Sequence, residues 1–427
     1  MKNLTLITAV AMLLFMSRGI VGPISSLYVE SLGASYVVIG LLGTVTSLTT
    51  ILFSYVWGRA SDRLGQRKVL LAPSLATLAV SYGLMALAPS YEYLFPLHVL
   101  GAIAQAAYGT ASLALMGDLL EQRADAQGRR MGIYRGLGSL GFGLTAFLSG
   151  TVADWLSIRV SFILSALFLA LAFLMALRVE EAPPAGGPRG DGEPLPMPDN
   201  ATVDTSTATE SGRSAGGSGD FIRLPLAPLL VSAFLWSLVT GAVYAVWANY
   251  MVSEIHYTQA QMSRLWALAS LSEFPLMILA GHLSDRMGRL PMLSLGFLAW
   301  TLVFLGYILV PVMPWIVLIQ LIRGFAYSAF TATSMTYAAE VRSRSQRGHI
   351  SGLYNSAGGI GTILGSSMGG GLAQFTGFHI MIGTNAALIF GGAVYLALAA
   401  VRQTAHCQSI TPAALRRTRR NRKKTAH

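Results

Sequence analysis

Gly58-Arg59-Ala60-Ser61-Asp62-Arg63-Leu64-Gly65-Gln66-Arg67-Lys68 returns as Gly281-His282-Leu283-Ser284-Asp285-Arg286-Met287-Gly288-Arg289-Leu290-Pro291. Gly, Ser, Asp, Arg and Gly keep their places, so the chain repeats itself with a shift of 223 residues, from 58 to 281. A second echo follows: Arg130-Met131-Gly132-Ile133-Tyr134-Arg135-Gly136-Leu137-Gly138 is answered by Ile350-Ser351-Gly352-Leu353-Tyr354-Asn355-Ser356-Ala357-Gly358. Each of these stretches sits beside a basic loop flanked by long apolar runs, the pattern of a duplicated bundle of membrane helices.

The composition agrees. Of 427 residues 53% are hydrophobic and only 11% charged, against about 25% charged in ordinary soluble chains. Apolar runs long enough to cross about 30 Å of hydrocarbon recur throughout. They predict an all-α integral membrane protein of twelve transmembrane helices in two pseudo-symmetric six-helix bundles. The spans are expected at about 4–30, 37–58, 69–89, 93–117, 131–153 and 159–178, then 225–252, 259–283, 290–311, 314–340, 348–374 and 379–402. The first run reads as a retained span, because it is long, carries Arg18 and lacks a small-residue cleavage site. An N-terminal bundle (1–180), a linker (181–222) rich in Pro, Gly, Ser, Thr and Asp, a C-terminal bundle (223–402) and a basic tail (403–427) complete the organisation. The linker composition cannot bury a core and predicts disorder.

Lys and Arg crowd alternate loops: Arg59, Arg63, Arg67 and Lys68; Arg123, Arg129 and Arg130; Arg286 and Arg289; Arg342, Arg344 and Arg347. Of the intervening loops only the one holding Arg159 is basic, so both termini are expected in the cytoplasm of a multi-pass cell-membrane protein. The net charge of +11 and the Arg416–Lys424 cluster are accounted for by anionic lipid near the last span, at about 1 kcal/mol per basic residue. No aromatic interleaving accompanies the cluster, and no nucleic-acid partner is expected. Cys407 is the single cysteine, metal-ligand spacings are absent, and neither metal nor cofactor is expected.

The loop after the second span, Gly58-x-x-x-Asp62-Arg63-x-Gly65-x-Arg67-Lys68, resembles the signature of the major facilitator superfamily. Gly281, Asp285, Arg286, Gly288 and Arg289 resemble its partly degenerate second copy. The likeness covers the chain outside linker and tail, touching both the drug:proton antiporter branch and the lactose permease and nucleoside symporter-like branch. It implies an alternating-access carrier, not an enzyme, working as a monomer. The signature glycine reads as a tight turn at the end of the second span. Asp62, Arg63 and Arg67 read as a cytoplasmic gate with Asp118 as partner, and Glu340 as the matching partner of Arg286. Two departures weaken the antiporter likeness: Ala102 stands where that branch has an arginine, and Gly141-Phe142-Gly143-Leu144 lacks its proline. Glycines crowd the fifth and eleventh spans, where small residues permit close helix packing.

Charge inside a span costs about 2.5–3.5 kcal/mol on insertion scales and marks function. Arg18, beside Gly19, Gly22 and Pro23, reads as a substrate or counter-charge on a bent helix. Glu273 is the sole carboxylate well inside a span, and Ser272-Glu273-Phe274-Pro275 resembles a stretch of the symporter branch. A carboxyl there, facing Arg323, could change protonation as solute binds, so Glu273 is the expected proton carrier; a static ion pair with Arg323 is the plain alternative. Tyr327, one turn from Arg323, together with Tyr108, Trp247 and Asn249, is expected to line the pathway. Arg264 lies nine residues from Glu273, on the opposite face. Glu30, Glu254, His256 and His98 read as residues of the outer ends.

The expected function is proton-coupled symport of a small organic solute, anionic or polyhydroxylated. Proton-driven efflux of amphiphilic drugs is the alternative, and a non-transporting solute sensor the reading from another class.

Overall fold

The computed structural model describes residues 2–64, 67–121, 127–179, 225–341 and 347–424; the expected linker lies outside them. The described residues are helical, with short connections. The N-terminal half holds α1 (Lys2–Val21), α2 (Ser25–Ser31), α3 (Tyr36–Leu64), α4 (Lys68–Ala86), α5 (Leu94–Glu121), α6 (Gln127–Trp155) and α7 (Ile158–Leu177). The C-terminal half holds α8 (Leu226–Asn249), α9 (Gln259–Met287), α10 (Arg289–Leu309), α11 (Trp315–Glu340), α12 (Arg347–Thr376) and α13 (Phe378–Lys424). A 3-10 turn, Gly22–Ile24, joins α1 to α2 within one span. It forms where Pro23 lacks an N–H, so the bend expected beside Arg18 is present. Twelve spans in two sets of six result.

Nine spans are long and apolar enough to cross a membrane by length and composition among the described residues. The other three, α5, α6 and α12, are 28, 29 and 30 residues long, and glycine, alanine and serine crowd α6 and α12. Lipid contact is the physical reason for the large side chains left on the outside, such as Leu167 and Leu302, each 59% exposed, which a soluble fold would bury.

Two differences from the expected boundaries matter. The second span runs on to Leu64, so Gly58 lies inside a helix instead of turning the chain, and Gly281 likewise lies inside α9. The turning residue is Gly288, at φ +93° and ψ 162°, a backbone region essentially restricted to glycine. Its counterpart Gly65 lies outside the described residues. The last helix also continues past 402 to Lys424, through a stretch whose alanine, arginine and lysine are strong helix formers.

Packing between the halves is itself symmetric: α6 lies on α9, and α3 on α12. Under the duplication these are the fifth and eighth spans and the second and eleventh, so each interface is the image of the other. At the end away from the two signature loops, called the distal end below, Ile20, Ile24, Leu27 and Tyr28 share one apolar core with Trp247, Tyr250 and Leu265. Towards the signature loops the halves have separate cores. Several hydrogen bonds join the halves in the distal half. Tyr36 N–H donates to Gln374 Oε1 at 2.9 Å, Thr44 Oγ1 lies 2.7 Å from Ser367 Oγ, and Gly150 N–H donates to Ser263 Oγ at 3.0 Å.

Candidate transport site and distal clasp

Arg323 is the most enclosed charge among the described residues, 3% exposed. Helical spacing assembles its surroundings. Gln320 is three residues back on α11, and Tyr244 and Trp247 are three apart on α8, so each pair shares a face. The guanidinium carbon lies 5.1 Å from the Tyr244 ring centroid, 5.5 Å from that of Trp247 and 4.6 Å from that of Trp266. Three ring faces thus hold the cation where water does not reach. Nη1 donates to Gln320 Oε1 at 3.1 Å, and Tyr307 O–H reaches the same oxygen at 3.5 Å.

Glu273 is half-buried on α9. It shares a helix face with Trp266, seven residues away, but stands about 10.5 Å along the axis at 1.5 Å per residue. That spacing is why no salt bridge joins Glu273 to Arg323 among the described residues. The static ion pair of the sequence reading is therefore absent from this arrangement. The helices still touch: Ser328 Oγ donates to the Glu273 carbonyl at 3.0 Å, and a Cβ on Gly324 would collide with Ser272 Oγ.

The other expected pathway residues are dispersed. Arg18 is half-buried in the N-terminal half, 5.9 Å from the Phe15 ring centroid. Tyr327 packs against Trp236, centroids 5.7 Å apart, and Tyr108 is buried in the N-terminal core. Trp247 belongs to the aromatic wall around Arg323 instead of an open surface. Asn249 is completely buried, and its Nδ2 donates to Glu30 Oε2 at 2.6 Å and to the Ser26 carbonyl at 3.3 Å. Glu30 Oε1 in turn accepts from Tyr36 O–H at 2.8 Å. Asn249 thus joins the two halves in this arrangement. Asp154 Oδ2 accepts from Ala260 N–H at 2.9 Å where α6 meets α9. Arg264, on the face opposite Glu273 as its spacing demands, covers Phe147 of the other half at 5.4 Å.

At the signature loops one expectation is corrected. Glu340 binds Arg289, not Arg286: Nε to Oε2 is 2.9 Å and Nη2 to Oε1 is 2.7 Å, a two-pronged pair. Arg289 also meets Asp285 at 2.6 Å and Ser284 Oγ at 2.9 Å. Gly288 lifts the chain over the end of α9, and so turns Arg289 back across that end, while Arg286 projects outward and is exposed. In the first copy Arg67 Nη1 donates to Ser61 O at 2.7 Å and Ser61 Oγ at 2.8 Å, the same motif one residue displaced. Lys68 Nζ donates to the Leu177 carbonyl at 2.7 Å, and Arg63 is exposed. Gly65 and the side chains of Asp62 and Asp118 lie outside the described residues. Glu340→Ala is expected to lower thermal stability by about 0.5–1 kcal/mol, because the pair is two-pronged and joins α10 to α11 although the glutamate is exposed; a melting curve unchanged within error would refute that role.

Spacing on the helix could have revealed Gln320 and Trp266 from the sequence. Nothing local marks Tyr307, which meets Arg323's neighbours only because α10 packs on α11.

A twelve-span duplicated fold with these signature contacts matches a known group. The profile of the MFS_1 like family covers residues 4–381. The chain belongs to this family of major facilitator transporters. It is 26% identical over 367 residues to a maltose permease of Geobacillus stearothermophilus, covering 85% of this chain and 86% of that one. It is 24% identical over 407 residues to the multidrug resistance protein MdtG of Citrobacter koseri, covering 92% and 94%. In fold it is similar to the nucleoside transporter NupG, with a TM-score of 0.75 at 15% identity over 94% of this chain and 99% of that one. It is thus a multi-pass membrane transporter of small-molecule solutes, not an enzyme.

Proposed function

We propose that this facilitator is a proton-coupled symporter of a small organic solute, anionic or polyhydroxylated, acting as a monomer in the cell membrane. Both termini and the signature loops face the cytoplasm in this reading, and the basic tail lies on anionic lipid. Glu273 carries the reading: a carboxylate half-buried midway along a span, with no salt bridge among the described residues, has few roles other than binding and releasing a proton. Halves closed at the distal end correspond to the cytoplasm-facing stage of alternating access, in which the distal clasp seals the outside. Similarity to the maltose permease and fold likeness to NupG favour a solute rich in polar groups.

Glu273→Gln is expected to abolish uphill accumulation, by at least about tenfold for a loss of 1.36 kcal/mol or more of coupling, while solute exchange in proteoliposomes persists. Accumulation with unchanged pH dependence would remove Glu273 as the proton carrier. Similarity to MdtG favours a second reading, proton-driven efflux of amphiphilic compounds. Uptake and drug-resistance assays on one expression strain separate the two.

A further inference from the structure

Four buried hydrogen-bond donors near the distal end of the C-terminal half have no acceptor: Arg323 Nε, Gln320 Nε2, Trp247 Nε1 and Trp300 Nε1. Their residues are 3%, 0%, 1% and 1% exposed. They form one neighbourhood, since Trp247 lies against the guanidinium and Tyr244 stands between that guanidinium and the Trp300 ring, 6.2 Å from the latter. Gln320 Oε1 already takes both Arg323 and Tyr307, and the neighbouring hydroxyls of Tyr244 and Tyr307 each bring a hydrogen with their oxygen. Ring faces stabilise the charge but offer no lone pair to an N–H. A buried, unmade donor costs about 1–3 kcal/mol, and a bound group rich in acceptors would relieve several of them at once.

The imbalance selects the chemistry. A hydroxyl brings a donor with every acceptor, so a polyol would add unmatched donors to a cluster already in excess of them. A carboxylate brings two oxygens, about four lone-pair sites and no hydrogen, and it also neutralises a cation that no described carboxylate approaches within ion-pair distance. We propose that Arg323, with Gln320 and Trp247, binds the carboxylate of the transported solute, making the substrate an organic anion. The subsite is sealed in the arrangement described. The inference rests on the carrier reading above and sharpens it: one proton on Glu273 moving with one carboxylate at Arg323 carries no net charge.

The three neighbouring tryptophans, Trp247, Trp266 and Trp300, report on binding by their fluorescence. Full-length protein is titrated with acetate, lactate, benzoate and gluconate, each beside its uncharged amide, and with maltose. At least one carboxylate is expected to quench the signal saturably while its amide does not. Arg323→Gln should weaken it by at least about 100-fold, and Arg323→Lys should restore part of the loss, since a lysine keeps the charge without the fork. Trp247→Phe keeps an aromatic ring and removes one donor. It should weaken the carboxylate severalfold while the ligand-free protein melts no lower, and it decides the matter if Arg323→Gln does not fold. Equal binding of acid and amide, no response to any carboxylate, or carboxylate binding indifferent to these substitutions overturns the proposal; indifference is the result if water alone fills the site. Proton-driven maltose uptake that survives Arg323→Gln would overturn the carboxylate subsite and leave the carrier standing, whereas loss of all solute flux from wild-type proteoliposomes would sink the carrier reading.

Discussion

Asn249→Asp is expected to break the distal clasp and cut transport by at least about tenfold. The asparagine nitrogen lies 2.6 Å from Glu30 Oε2 in a fully buried position. The substitution puts a second acceptor, with a second negative charge, where a donor now stands. Two unit charges at that range repel by several kcal/mol even at an effective dielectric of about 20. Each 1.36 kcal/mol taken from the closed arrangement shifts the equilibrium tenfold towards the distally open one. Spin labels on Ser35→Cys and Phe375→Cys, in a Cys407→Ser background, flank the Tyr36–Gln374 contact and should report a longer distance in the variant. Adding Glu30→Gln returns one donor and removes one charge, so the double variant should recover both the short distance and the flux. A variant with wild-type distances and transport would mean that the clasp does not hold the halves together.

Glycine contacts give the second large effect, and they separate conformational from structural roles. A Cβ on Gly150 would collide with the Gln259 carbonyl oxygen, and one on Gly370 with the Tyr36 carbonyl oxygen; both contacts cross between the halves. Backbone oxygens have no rotamer through which to yield, and overpacking of this kind costs about 1–3 kcal/mol. Gly150→Ala and Gly370→Ala together are expected to exclude distal closure, lowering turnover by about 100-fold or more while each half stays folded and the melting temperature changes little. Gly365 makes the same contact with the Leu238 carbonyl oxygen, but inside one half. Gly365→Ala should therefore depress the melting temperature, by about 2–4 °C per kcal/mol for a unit of this size. Turnover close to wild type in the double variant, or a melting loss equal to that of Gly365→Ala, would show that these inter-half contacts are not conformational stops.

Much of the site was legible and some of it was not, for identifiable reasons. Glu273 and Arg323 stood out because a charge in a span is expensive wherever it points, so composition alone marks it. The opposed faces of Arg264 and Glu273 followed from helical spacing, which is local. The pairing of Asn249 with Glu30 was not legible, because a neutral polar residue in a span says nothing about which half it will meet. Glu340 was matched to Arg286 by the order of the repeat, but the positive-φ turn at Gly288 hands the pair to Arg289.

The duplication, the twelve spans and the family are determined by the sequence, because crossing a bilayer forces every backbone amide into local helical bonds and leaves periodic apolar runs and alternating basic loops as a one-dimensional record. The ring cage of Arg323, its unpaired donors and the Glu30–Asn249 clasp were decided only by the tertiary structure. Their partners lie on different helices, and which helix faces which is set by small-residue packing and the relation of the two halves, neither of which any single stretch of chain contains.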